Sequence, residues 1–232
     1  MALEILYRDD ALIAVNKPAG QLVHPSDHPH PDDEVTMKIL RDQIGHNVHA
    51  LHRIDRPTCG VLLFTTDPDI VRILRPAFDN QLVKKSYLAV VINHPADDSW
   101  ICREPLRKKE GAPLREAITD FQVLDRLPNK LALVEARPRT GRFHQIRRHL
   151  LHAGHPIVGD YFYAGIERCD ELSSRLDTGT RMLLQAKAIT LAHPVTGDSL
   201  TITAPLDPMI QQVIDPQSRK NPGGKSTGAS VF

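Results

Sequence analysis

A chain of 232 residues with 41% hydrophobic and 25% charged residues is long enough to bury a substantial core, in one domain or two closely packed halves. No uninterrupted apolar run approaches the roughly 18 residues of a membrane helix, and no cationic stretch precedes an apolar one at the N-terminus, so a soluble chain without a targeting signal is expected. Three scattered cysteines, with no Cys-x-x-Cys pair, exclude a disulfide framework and fit a reducing cytoplasm, and a net charge of +1 excludes a uniformly basic surface.

In chain order, alternating apolar residues predict strands over 3–8 and 12–16, joined as a short antiparallel pair and followed by turn residues Lys17-Pro18-Ala19-Gly20. The proline-rich stretch 24–33 predicts a surface loop, and a helix is predicted over 34–44 with Val35 and Ile39 on its buried side. Residues 60–66 form a nearly unbroken apolar run, suited to a strand buried on both faces. Asp67-Pro68 then supplies an N-cap and first-turn proline for a helix with Ile70, Leu74 and Phe78 as its core stripe, kinked or shortened by Pro76. Further strands are predicted over 86–92, 117–124, 131–137, 182–191 and 200–203. Seven or eight strands with three or four helices, many strands joined by short turns, predict an α+β fold with a largely antiparallel mixed sheet. From residue 215 to 232 the composition is too polar to offset the entropy of ordering it, which predicts a disordered tail.

Two clusters carry the chemistry. In His52-Arg53-Ile54-Asp55-Arg56-Pro57-Thr58-Cys59-Gly60, two arginines flank an aspartate just ahead of the buried strand. A plain ion-pair loop is the ordinary reading of such a segment. Pro57 and Gly60, however, restrict the backbone, and a carboxylate held rigidly at the edge of a core is how a catalytic group is positioned. The second cluster lies in residues 137–149, which hold five arginines and two histidines and no acid, a local field that attracts a polyanion. It reads as a helix closed by Gly154, with Phe143, Ile146 and Leu150 as its core stripe. Arg147, at the margin of that stripe, points partly inward and needs an anion, either Asp55 or a phosphate. Arg142 and Arg148 divide evenly between solvated arginines and contacts to a polyanion.

The same segments resemble the motifs of the RluA-type pseudouridine synthases. His52 to Gly60 is similar to their His-Arg-Leu-Asp-x-x-Thr-Ser-Gly, and Thr140-Gly141-Arg142-Phe143-His144-Gln145-Ile146-Arg147-Arg148-His149 to their Thr-Gly-Arg-x-His-Gln-Leu-Arg-x-His. Lys85-Ser86-Tyr87-Leu88-Ala89 resembles the Lys-x-Tyr-x-Ala segment, and the opening strands and Gly154-His155-Pro156-Ile157-Val158-Gly159-Asp160 match as well, so the likeness runs from about residue 3 to 206. The resemblance implies the pseudouridine synthase fold, with an active-site cleft in one catalytic domain over 1–214 and no S4 RNA-binding domain. It implies Asp55 as the catalytic aspartate, Tyr87 as the base-stacking tyrosine, Arg147 as the partner of the aspartate, and Arg53 as the residue that fills the gap left by a flipped nucleotide. Arg56, Arg142, His144 and Arg148 are the accompanying candidates for RNA contact.

The implied substrate is a uridine in structured RNA, with transfer RNA favoured and ribosomal RNA possible, acted on by a monomer with no obligatory protein partner and no cofactor. The reaction must break the glycosidic bond and rejoin the uracil through C5, so ribose C1′ develops positive charge that a carboxylate can stabilise or trap. Attack on C1′, addition to the base and removal of a ribose proton are all open to Asp55. Two departures from the family pattern stand out: Cys59 in place of serine, and Gln185 where many members have histidine.

Three rival readings are weaker. The His-Arg-Ile-Asp order does not match a kinase loop, which also needs an Asn where Gly60 stands. His149, His152 and His155 lack a completing carboxylate or thiolate for a metal site. Cys59 beside His52 as a hydrolase pair is less economical than a buried thiol. A non-catalytic RNA-binding protein is the one alternative of a different class, and Asp55 argues against it, because a binder gains nothing from an anion that faces phosphates.

Overall fold

A computed structural model describes residues 2–28 and 30–215, so the tail expected over 215–232 lies, from residue 216 onward, outside the described residues. The opening pair is β1 (Glu4–Arg8) and β2 (Ile13–Lys17), antiparallel as expected. Asp9 closes the turn by accepting from the N–H groups of Ala11 and Leu12 at 2.8 and 2.7 Å. The next helix, α1 (Thr36–Ile44), begins two residues later than predicted, because Val35 is extended and bridges to Leu22. A two-residue β3 (His49–Ala50) precedes β4 (Cys59–Thr65), which is buried at every position. α2 (Pro68–Asp79) is capped by the Asp67 side chain, which accepts from the Asp69 N–H. Pro76 stands in the last turn of the helix, where its missing N–H removes a single helical bond, and the helix ends three residues later at Asp79.

There follow β5 (Lys84–Ile92), β6 (Ser99–Cys102), β7 (Thr119–Leu127), β8 (Leu131–Pro138), α3 (Gln145–His152), α4 (Ile166–Leu176), β9 (Leu184–Ala192), β10 (Ser199–Thr203) and α5 (Pro208–Ile214). Of these, the sequence pattern does not predict β6, α4 or α5. β6 has only four residues, α4 buries only Cys169 and Leu172 among polar neighbours, and α5 depends on its Asp207 cap. The second chemical cluster also differs from its prediction. Residues 140–144 are not helical but are wrapped around the Gln145 side chain, whose Oε1 accepts from Thr140 Oγ1 and the Arg142 N–H at 2.7 and 2.9 Å. Phe143 therefore leaves the predicted core stripe and is 49% exposed, while Ile146 and Leu150 are buried.

The sheet runs β1-β2-β4-β9-β5-β8-β7-β6, with β3 against β4 and β10 against β9. Every pairing is antiparallel except β4 with β9. This is the α+β, largely antiparallel architecture expected, with ten strands and five helices among the described residues. The period-2 alternation sends Leu62 and Phe64 to α1, and Ala89 and Val91 to α3, on one face. Val61 and Leu63 pack toward α2, and Leu88 and Val90 toward α4 and α5, on the other. Among the described residues no helix is long and apolar enough to cross a membrane.

Candidate active site

Asp55 lies in the loop entering β4, and that loop is tied down from several sides. Thr58 N–H donates to the Asp55 carbonyl at 3.0 Å, and the Arg56 carbonyl accepts from the Gly20 N–H at 2.8 Å. The fully buried Lys17 ammonium donates to the carbonyls of Pro18, Gln21 and Arg56, and burial pushes its pKa down to about 8. His52 Nε2 accepts from the Leu63 N–H at 3.1 Å, in the neutral form, since burial takes the imidazole down to about 3. Gly60 is required where loop becomes strand: its φ is 106°, and a Cβ would sit 2.2 Å from the Ala186 carbonyl oxygen of β9.

Tyr87 reaches the same place through strand register. Gly60 of β4 and Tyr87 of β5 both pair with Ala186 on the strand between them, so the loop before β4 and the Tyr87 ring meet across β9. The β5–β9 register shifts between Ser86 and Tyr87, the kind of irregularity that re-aims a side chain at a site. Burial, then the Asp55 charge, raises the phenol above its ordinary range, so its hydroxyl stays protonated.

Arg147 points inward from α3, as expected, but its main partner is Asp160. The pair is bidentate, Nε to Oδ2 at 2.7 Å and Nη2 to Oδ1 at 2.8 Å, and both side chains are almost fully buried. The remaining nitrogen, Nη1, lies 3.4 Å from Asp55 Oδ2. Burial opposes the charge on Arg147, but the two carboxylates outweigh it and hold the guanidinium above its usual pKa. Asp160 is presented by Gly159, whose φ of 75° and 1.9 Å approach of a Cβ to the Arg181 carbonyl exclude a side chain there. The guanidinium also lies over the Tyr163 ring, 4.9 Å from its centroid. His144 Nε2 stands 3.8 Å from Asp55 Oδ2, and its other ring nitrogen is 3.1 Å from the Tyr163 hydroxyl.

A cleft of about 520 Å³ opens beside Asp55. Asp55, Tyr87, Arg147, Arg53, Arg142 and His144 all line it, as does Lys85. Arg56 and Arg148 are not among its lining residues: Arg56 binds the Asp33 carboxylate and the Gly20 carbonyl, and Arg148 donates to the Arg107 carbonyl. Sequence reasoning missed Asp160 and Tyr163, and also Lys108 and Arg115, which reach the cleft from the loop between β6 and β7. Only the need of an inward arginine for an anion pointed toward Asp160.

His149 and Cys59 sit in the packing of the fold instead. His149 is fully buried, with its ring nitrogens 2.9 Å from Thr119 Oγ1 and from the Glu104 carbonyl. Among the described residues no group of three or more His, Cys, Asp or Glu is arranged to hold a metal. The Cys59 thiol, pushed up to about 12 by burial and Asp207, meets Asp207 at 3.4 Å and the Leu184 carbonyl at 3.8 Å rather than His52. Gln185 bridges the Pro205 carbonyl and the Asp207 N–H, which accounts for an amide at that position.

A half-buried carboxylate in contact with a guanidinium, an aromatic ring beside it and cationic walls can receive a flat uracil and balance charge at its sugar. The chain belongs to the RNA pseudouridylate synthase family, enzymes that isomerise uridine in RNA, and the family's sequence profile matches residues 11–152. It is 39% identical over 236 residues to tRNA pseudouridine synthase C of Pasteurella multocida strain Pm70, covering 93% of this chain and 95% of that protein. It is 38% identical to tRNA pseudouridine synthase C of Haemophilus influenzae, covering 92% and 97% of the two chains. In fold it is similar to human RNA pseudouridylate synthase domain containing 4, with a TM-score of 0.73 and 25% identity over 90% of this chain and 91% of that one.

Proposed function

We propose that this protein converts a uridine of transfer RNA to pseudouridine, with Asp55 as the catalytic carboxylate, Arg147 as its charge partner and Tyr87 as the ring against which the uracil lies. The observation that carries the reading is the 3.4 Å contact between Asp55 and Arg147, formed inside a cleft large enough for a nucleotide. Transfer RNA is the substrate named in the relatives above, and Arg53, Arg142, Lys108 and Arg115 give the cleft the charge a phosphate backbone requires.

In this reading the target nucleotide is extruded from its stack, at a few kcal/mol, which an unpaired loop makes smaller. The N1–C1′ bond then breaks, with Asp55 facing the developing positive charge at C1′. The uracil, retained against Tyr87, turns and forms the C5–C1′ bond, and a proton passes from C5 to N1 by way of solvent. Atoms balance without an oxidant. Residues 1–214 form the catalytic unit, working as a monomer in the cytoplasm.

The test is to incubate the wild-type protein and Asp55→Asn with unmodified transfer RNA transcripts and to measure pseudouridine by mass spectrometry. Wild type forms pseudouridine at a defined position, and Asp55→Asn forms none while its RNA affinity stays within about twofold, since the change removes no phosphate-binding cation. Undiminished conversion by Asp55→Asn would overturn the assignment.

A further inference from the structure

The rim of the cleft carries aromatic surface that the reaction at Asp55 does not use. Phe143 is 49% exposed, and one face of its ring is covered by the His144 imidazole, with ring centroids 3.7 Å apart and planes inclined by 20°. The other face is left to the cleft, which Phe143 lines. Phe162, 76% exposed, stands edge-on to the same imidazole at 6.3 Å and edge-on to Tyr163 at 4.7 Å.

This platform is fixed before any ligand arrives. His144 holds a left-handed backbone, φ 53°, and is tied to the Tyr163 hydroxyl, while Tyr163 in turn supports Arg147. Two exposed phenyl rings, each set against the His144 imidazole, leave apolar surface that a bound base would cover.

We infer that the outer face of Phe143 is a stacking site for the unpaired nucleobase next to the target uridine. The inference rests on the RNA reading above and extends it to how the substrate is chosen. Position supports it: His144 touches both Asp55 and Phe143, so a single imidazole separates the Phe143 ring from the carboxylate, and a base on that ring lies beside the target rather than on it. Charge supports it too, since Arg142, Lys108 and Arg115 share the cleft with Phe143 and would hold the phosphates on either side of the stacked base. A ring already stacked on His144 loses little freedom when a base closes on its other face, so stacking strengthens binding without sequence readout and favours substrates whose uridine has an unpaired neighbour.

The experiment compares Phe143→Ala, Phe143→Leu and Phe143→Tyr with wild type, and uses Val195→Ala, an exposed apolar residue outside the cleft, as control. Initial rates on unmodified transfer RNA transcripts are expected to show KM raised about 5- to 150-fold for Ala and Leu, with a smaller change in kcat, the span of one base-aromatic stack. Tyr restores the wild-type KM, and Val195→Ala does not move it. In parallel, an RNA hairpin with a loop uridine flanked by 2-aminopurine is titrated with each protein. Fluorescence quenching by wild type and Phe143→Tyr, lost in Leu and Ala at unchanged melting temperature, supports the site independently of turnover. A wild-type KM and full quenching in Phe143→Leu would sink it, because leucine keeps the apolar bulk and lacks only the π face. Pseudouridine formation by wild type with unaffected Phe143 variants leaves the enzyme reading standing without the stacking site, whereas quenching without any product strikes the enzyme reading instead.

Discussion

Arg147 holds two carboxylates, and their surroundings predict opposite consequences of removing each. Asp160 is 1% exposed in its side chain and binds the guanidinium at 2.7 and 2.8 Å, whereas Asp55 is 24% exposed and meets it once, at 3.4 Å. Replacing Asp160 by Asn removes the charge and turns one acceptor oxygen into an amide donor facing the guanidinium, so the buried cation keeps one neutral hydrogen bond and the long contact to Asp55. Breaking such a pair costs about 3–5 kcal/mol, and burial this deep gives no reason to discount it for solvent screening. At about 2–4 °C per kcal/mol for a chain of this size, the thermal midpoint of Asp160→Asn should fall by about 6–20 °C. Asp55→Asn removes a single bond at the edge of the cleft, so its stability should stay within about 1 kcal/mol of wild type while pseudouridine formation disappears. Urea denaturation of both variants, read by circular dichroism and set beside product formation, checks the contrast. If Asp160→Asn is as stable as wild type, or if Asp55→Asn unfolds as readily as Asp160→Asn, the division of Arg147 between a structural and a chemical partner is wrong.

Gly60→Ala forces a Cβ to 2.2 Å from the Ala186 carbonyl at a φ of 106°, and should cost more than about 3 kcal/mol, seen as a lowered urea midpoint or loss of soluble protein. His52 is neutral in the fold, with its pKa pushed by burial to about 3 against an ordinary 6.5. The unfolded chain therefore binds an extra proton between those values. The contribution of neutral His52 to stability is full above pH 6.5 and is lost progressively as pH falls toward 3, by up to about 1.4 kcal/mol per unit. Urea titrations at pH 7.5 and pH 5 should show this loss in wild type and less of it in His52→Gln, which keeps an acceptor for the Leu63 N–H; an equal loss in both would remove His52 as its source.

Local signals made much of the fold legible. The alternation in β1, β2 and β5, the apolar run of β4 and the Asp67-Pro68 cap of α2 each report on a few consecutive residues, and each element lies close to its predicted place. Elements whose patterns are short or polar, β6 and α4, carry too little periodicity to be seen that way. Asp55 and the inward turn of Arg147 were also readable, since a carboxylate at the mouth of a buried strand and an arginine at the margin of an apolar stripe are local patterns.

What the residues by themselves determined, then, is which segments bury apolar surface and which side chains carry reactive charge. Only the tertiary structure decided who meets whom. The parallel pairing of β4 with β9 brings Gly60 and Tyr87 to opposite sides of Ala186, the Gln145 side chain wraps the loop that expels Phe143 from the helix, and Asp160 takes the better share of Arg147. The physical reason is that hydrophobic periodicity is a property of neighbours along the chain. Strand register and the pairing of buried charges depend instead on contacts between residues far apart in sequence, which no short window contains.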